Sequence, residues 1–193
     1  MRLRPAGLVV LMGLAGVPAA RADQVADEIA KATAAWQAHD SQGTLAALNA
    51  AGNLLRQARA EALETLLPVP LPGWAADPAK TSAVGMEMLG GGISASRTYH
   101  DGSQQVDVEI TADSPMLLNM ATLLSSPYAQ AAGVKTVTIG SHNASYTAND
   151  NTYMALIADK IIVKVAGNKD TPEATLRTYV TAIDFDRAAS MAK

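Results

Sequence analysis

Residues 66–74 read LLPVPLPGW, and three prolines in five positions constrain this chain more than any other stretch. Pro68 disfavours helical geometry at Leu67, so a helix arriving from the N-terminal side should stop about there. Pro70 and Pro72 hold the backbone extended as a semi-rigid spacer, and Gly73 relaxes it. Trp74 then offers a large apolar body with one N–H to satisfy. Residues 68–74 are therefore expected to form a strut that ends one unit and delivers Trp74 into a second. A proline-rich ligand for a recognition module is the alternative, but prolines that join two ordered elements need no such partner.

Upstream of the strut, residues 23–67 contain no proline and consist mostly of good helix formers. Val25, Ile29, Ala32 and Trp36 recur at helical spacing, with Asp27, Glu28, Lys31 and Gln37 elsewhere. Asp40-Ser41-Gln42-Gly43 interrupts the pattern with turn residues, and Thr44 is expected to cap a second helix. Leu45, Leu48, Leu55, Ala62 and Leu66 continue on one stripe of that helix. Two helices joined by a short turn make an antiparallel hairpin. Its apolar stripe must be covered, by the rest of the chain or by another molecule.

Downstream, residues 75–187 read as an α+β domain, with 188–193 as a tail. Val106, Val108 and Ile110 alternate with Asp107, Glu109 and Thr111, the pattern of a half-buried strand. Ile93 to Tyr99 is its expected partner across His100-Asp101-Gly102-Ser103. A helix is expected over Met116 to Leu124, opened by Pro115. Short strands come next about Gly140, then Tyr153 to Ala158 and Ile161 to Val165 about an Asp159-Lys160 turn. Thr171-Pro172-Glu173 starts a last helix whose buried face is Leu176, Val180 and Ile183, with Thr171 as cap. The expected fold class is α+β: an N-terminal antiparallel helical hairpin, then a mostly antiparallel sheet covered by two helices.

Residues 1–22 read as a secretory signal peptide. Arg2 and Arg4 give the basic start, Gly7 to Val17 an apolar run too short to span a bilayer, and Ala20-Arg21-Ala22 a cleavage site before Asp23. Without Arg2, Arg4 and Arg21 the 15 basic residues become 12, which against 18 acidic ones leaves a net charge of −6. That balance argues against a nucleic-acid or anionic-membrane partner. No later stretch is apolar and long enough to be an integral membrane segment. With no cysteine, neither a disulfide nor a lipid-attachment cysteine is available.

The catalytic inventory is thin, and no catalytic residue, metal or cofactor is assigned. His39, His100 and His142 each sit in or beside an expected turn. No HExxH, Walker loop or GxSxG occurs. Ser141-His142 are sequence neighbours, and adjacency does not supply the spatial arrangement of nucleophile and base. Gly90-Gly91-Gly92 precedes a strand and lacks a following Lys-Ser or Lys-Thr pair, which fits a flexible connector rather than a phosphate loop. Asn149-Asp150-Asn151 lacks the spaced oxygens of a calcium loop and reads as a turn. Met86, Met88, Met116 and Met120 could supply thioethers to Cu(I) or line a small-ligand site. The simpler account is that Met116 and Met120 lie one helical turn apart on a face packed against the sheet.

The hairpin, LLPVPLPGW, GGGISASRTY and the closing TLRTYVTAIDF together resemble small exported proteobacterial proteins of unknown function. More loosely, residues 68–185 are similar to PsbP/Mog1-like α+β domains, through the Pro-x-Gly-Trp entry, successive antiparallel strands and a last helix near Ile183-Asp184-Phe185. The resemblance implies a Gram-negative periplasm and a binding or assembly role. The expected function is a periplasmic accessory or binding module, contacting another envelope protein through Val25, Ile29, Trp36, Leu45, Leu48 and Leu55. A Cu(I) or small-ligand carrier and an undetected hydrolase are the alternatives.

Overall fold

Every described strand after the proline segment runs antiparallel to its neighbours, and together they form one sheet. The computed structural model describes residues 17–83, 92–114 and 134–192, with side chains from Arg21 onward. They divide into two compact units, the first ending at Leu54 and the second opening at Leu55. The first is a helical hairpin of α1 (Val17–Gln37) and the part of α2 (Ser41–Glu64) up to Leu54. The last turns of α2 and the proline segment belong to the second unit.

The sheet contains β1 (Ala75–Ala76), β2 (Lys80–Ser82), β3 (Ile93–Asp101), β4 (Gln104–Ala112), β5 (Val134–Ile139), β6 (His142–Thr147), β7 (Thr152–Ile157) and β8 (Ile161–Gly167). Their order is β1-β3-β4-β8-β7-β6-β5, with β2 also paired to β3. Two helices, α3 (Glu173–Thr181) and α4 (Phe185–Met191), lie against it. This is the α+β class expected from the sequence. The expected helix over Met116 to Leu124 lies outside the described residues.

The alternation of side chains fixes the register. One row across the sheet pairs Ala95 with Ile110 and Val163 with both Ile110 and Ala155, all fully or almost fully buried. The row beside it, on the opposite face, places Ser96 beside Glu109, Glu109 beside Lys164 and Lys164 beside Met154. A one-residue slip would turn every isoleucine and valine of the inner face outward. Gly102-Ser103 and Gly140-Ser141 form the two-residue connections β3–β4 and β5–β6, each glycine at φ 59. Glycine at the first central position suits the type II′ turn that such loops favour. The β7–β8 turn is centred on Ala158-Asp159 (φ 48 and 56), one position earlier than the expected Asp159-Lys160.

The inner face is covered by the end of α2, the strut, α3 and α4. Ala60, Leu63, Leu66 and Leu67 join the core, and Trp74 packs edge-on to Tyr179, with ring centroids 5.4 Å apart. The prolines also have a hydrogen-bonding consequence. Three of the five residues Pro68–Pro72 lack an N–H, which leaves the amides of Val69 and Leu71 as the donors of this covering segment. The Leu71 amide donates to the Tyr179 hydroxyl at 3.4 Å, and the Tyr99 hydroxyl donates to the Pro68 carbonyl at 2.6 Å. The strut thus crosses a tyrosine layer with few polar groups left to satisfy.

Two local expectations are corrected. Thr171 does not cap α3: the N-cap is Pro172, and the buried Thr171 hydroxyl accepts the Gln105 amide at 3.1 Å. Residues 188–192 are not a tail. Asp184 caps α4 by accepting the Arg187 amide at 2.9 Å, and Phe185, Ala188 and Ala192 are buried in the core.

Asn151, the αL residue of the β6–β7 loop (φ 45), ties this end together. Its amide donates to the carbonyls of Asn168 (3.1 Å) and Thr171 (2.8 Å), and its Oδ1 accepts the Tyr146 hydroxyl (3.0 Å). Asn tolerates αL better than most residues. We expect Asn151→Ala to lower unfolding free energy by about 2–4 kcal/mol, through unpaired carbonyls and αL strain together. The urea midpoint measures it; a loss below about 0.5 kcal/mol, the scale of an ordinary surface substitution, would contradict this account.

Candidate functional site

The helical hairpin is built from residues that favour helix, and its turn is well defined. At the end of α1 the His39 amide bonds the Trp36 carbonyl (3.1 Å) and the Asp40 amide bonds the Ala35 carbonyl (2.9 Å). With His39 at φ 58, this is a Schellman ending in which histidine stands where glycine is usual. Asp40, rather than the expected Thr44, caps α2 by accepting the Gly43 amide at 2.9 Å. Thr44 instead turns its hydroxyl back to the Asp40 carbonyl at 2.7 Å.

Burial along the hairpin is inverted with respect to side-chain size. Between Arg21 and Leu54 the buried residues are Ala32, Ala47 and Ala51. The large apolar residues are outside: Trp36 is 66 % exposed, Leu45 62 %, Ile29 50 % and Leu48 50 %. Val25 is half-buried, and Leu55, where the second unit opens, is 51 % exposed. The expected single stripe therefore divides: Leu45, Leu48 and Leu55 face solvent, whereas Leu66 lies in the core of the second unit. Ordinary amphipathic helices bury leucine and tryptophan and leave alanine where it falls. From Ala32 to Leu55, moreover, the one formally charged residue is Asp40. Trp36 and Leu45 thus lie in a stretch that carries a single charge.

The two histidines of the second unit do not converge. His39 belongs to the hairpin turn. His100 Nε2 lies 3.3 Å from Asp77 Oδ2, on β3 beside β1. His142 Nε2 lies 3.0 Å from Asp186 Oδ1 and packs edge-on against Phe185, joining β6 to α4. The last two stand four strands apart in the sheet, roughly 19 Å at the usual strand spacing. A single substrate-sized group would not meet both. Among the described residues no three His, Asp or Glu side chains gather as a metal-ligand set. The thioether candidates Met86, Met88, Met116 and Met120 lie outside the described residues. Asp113 follows β4 at φ 58 and pairs with Arg59, Nη1 to Oδ2 at 2.6 Å.

The perturbed groups of the sheet unit are tyrosines. Burial pushes the Tyr99 hydroxyl up to about 12, against a partial opposing pull from Arg97. Burial also raises Tyr153 to about 12, helped by its hydrogen bond to the Glu173 carboxylate at 2.9 Å. Tyr146 and Tyr179 are raised, each chiefly by burial. All four stay neutral in the folded chain across the physiological range, serving as donors or acceptors rather than as bases.

No protein-family model matches this chain, and no curated protein sequence matches it. Among the described residues no helix is long and apolar enough to cross a membrane.

Two measurements check these assignments. A tyrosine whose folded pKa lies above its unfolded value contributes stability that is full below about pH 10 and lost as the pH climbs toward 12. Tyrosinate absorbance in native buffer should therefore lag that of the urea-unfolded chain between those limits; coincident curves would contradict the burial account. Separately, His39→Gly should raise stability by about 0.5–1 kcal/mol by relieving the αL residue, read from the urea midpoint. A decrease would show that the imidazole makes a compensating contact.

Proposed function

We propose that this chain is an exported accessory module, without a catalytic role of its own, that binds another envelope protein through the exposed apolar faces of its helical hairpin. One observation carries the reading: the hairpin buries alanines and exposes Trp36, Leu45, Ile29 and Leu48. A contiguous exposed apolar patch on a water-facing protein commonly marks an interaction site, and tryptophan is prominent among residues that dominate binding energy. The near absence of charge from Ala32 to Leu55 favours an apolar helical partner over an ionic one. The basic-apolar-small pattern of residues 1–22 supports export, and the resemblance to exported proteobacterial proteins supports the periplasm. Cleavage after Ala22 would remove the first six residues of α1 and leave Asp23 and Asp27 near its new N-terminus, where the helix dipole favours acids.

The test uses the full chain in the envelope of a Gram-negative host. A photo-crosslinking benzoylphenylalanine replaces Trp36 in one strain and Glu109, on the polar sheet face, in another. We expect a discrete adduct with a second envelope protein from position 36, none from position 109, and an isolated mature chain beginning at Asp23. Replacing Leu45 and Leu48 by glutamine should reduce the adduct about tenfold or more while leaving the melting temperature within a few degrees. Equal adducts from both positions, or none from position 36, would reject the reading.

A further inference from the structure

One end of the sheet's inner face is left incompletely filled. There Ile93, Ala112 and Ile161 sit side by side on β3, β4 and β8, closed over by Ala62 and Leu63 of α2 and by Met191 of α4. Between them is an open cleft of about 230 Å³ whose walls are apolar, with Arg59 at its rim. The strand residues and Leu63 are almost fully buried, so the cleft reaches the level of the core rather than lying among surface side chains. A cavity of about 150 Å³ lined by Leu, Ile and Phe holds benzene, so this volume admits a six-membered ring or a short alkyl chain plus a head group.

The rim determines what head group fits. Arg59 is about half exposed and faces Asp113 in a two-pronged arrangement, Nη1 to Oδ2 at 2.6 Å and Nη2 to Oδ1 at 3.2 Å. Lys160 accepts the Asp113 amide on its carbonyl at 3.2 Å, and its ammonium donates to the Ala192 carbonyl at 2.8 Å, next to Met191. The Arg59 guanidinium is the cationic group that lines the cleft, paired there with one carboxylate. A guanidinium has five N–H donors in a planar fork that matches carboxylate geometry, and Asp113 occupies two of its nitrogens.

We infer that this cleft binds a small organic acid with an apolar body, an aryl or short acyl carboxylate, its ring or chain against Ile93, Ala112 and Ile161 and its carboxylate at Arg59. Asp113 acts as the built-in competitor: it holds the guanidinium in place and is partly displaced, or shares the fork, when the acid enters. The site draws on none of the hairpin residues assigned to partner binding.

The experiment titrates the full mature chain, labelled at its methionine methyls, with benzoate and with uncharged benzyl alcohol, the Met191 signal being assigned by its loss in Met191→Leu. Benzoate should shift the Met191 methyl saturably and bind about tenfold more tightly than the alcohol. Arg59→Gln should bring benzoate down to the level of the alcohol without changing the latter. Asp113→Asn, tolerated because asparagine accepts the αL backbone there, should tighten benzoate about three- to tenfold. Ala112→Leu or, if that chain does not fold, Ala62→Leu should fill the cleft and abolish both shifts. Absence of a saturable shift in both the native chain and Asp113→Asn would make the cleft a packing void only. Equal binding of acid and alcohol, or indifference to Arg59→Gln, would overturn the carboxylate assignment.

Discussion

The apolar inner face of the sheet is the constraint on which the second unit depends. Ile93, Val108, Ile110, Val163 and Val165 all belong to its buried layer because antiparallel pairing holds the strands in a single register. With no disulfide available, covering that layer is what stabilises the unit. The chain covers it with pieces that bring few unsatisfied donors: the end of one helix, a segment from which proline has removed amides, and two short helices. Where the cover stops short, between Leu63 and Met191, a cleft remains. Architecture and candidate small-molecule site therefore have one origin.

The two units treat apolar side chains in opposite ways. In the sheet unit size and burial go together, with Tyr99, Tyr153, Tyr179 and the isoleucines innermost. In the hairpin the residues buried between Arg21 and Leu54 are three alanines, while Ile29, Trp36, Leu45 and Leu48 are outside. Folding alone would not favour that arrangement, since about 25 cal/mol is forgone for every Å² of apolar surface left in water. Covering by a second molecule would recover it, which is why the hairpin, and not the polar sheet face, carries the functional reading.

Much of the fold was legible in the sequence wherever one local rule was decisive. Val106-Asp107-Val108-Glu109-Ile110 alternates at period two, and Gly102-Ser103 and Gly140-Ser141 are compatible with few connections other than tight hairpins. Pro68 ended the helical pattern within a few residues of the observed stop at Glu64. What was not legible depended on distant partners. Thr171 has the local appearance of a cap, yet β4 takes its hydroxyl. Helix α4 is only seven residues long and its buried side rests on Phe185 and two alanines, too little for periodicity to reveal. In the hairpin, spacing put Ala32 on one stripe with Ile29 and Trp36, and Leu66 on one with Leu45 and Leu48, yet Ala32 and Leu66 are buried and the others exposed. Periodicity carries no information about whether such a stripe faces inward. The cleft draws single residues from β3, β4, β8 and α4 and a few from one end of α2, and no contiguous motif could have announced it.

Strand β5 closes the strand order, and among the described residues it pairs on one side only, with β6. A strand side left unpaired offers a ladder of amides and carbonyls to any extended chain, the templating hazard of every open sheet. Lys135 is the single charge within the strand, set between Val134 and Thr136. One ammonium per molecule repels its copy only while ionic strength is low, so concentrated salt would weaken the electrostatic guard that Lys135 gives this margin against stacking end to end.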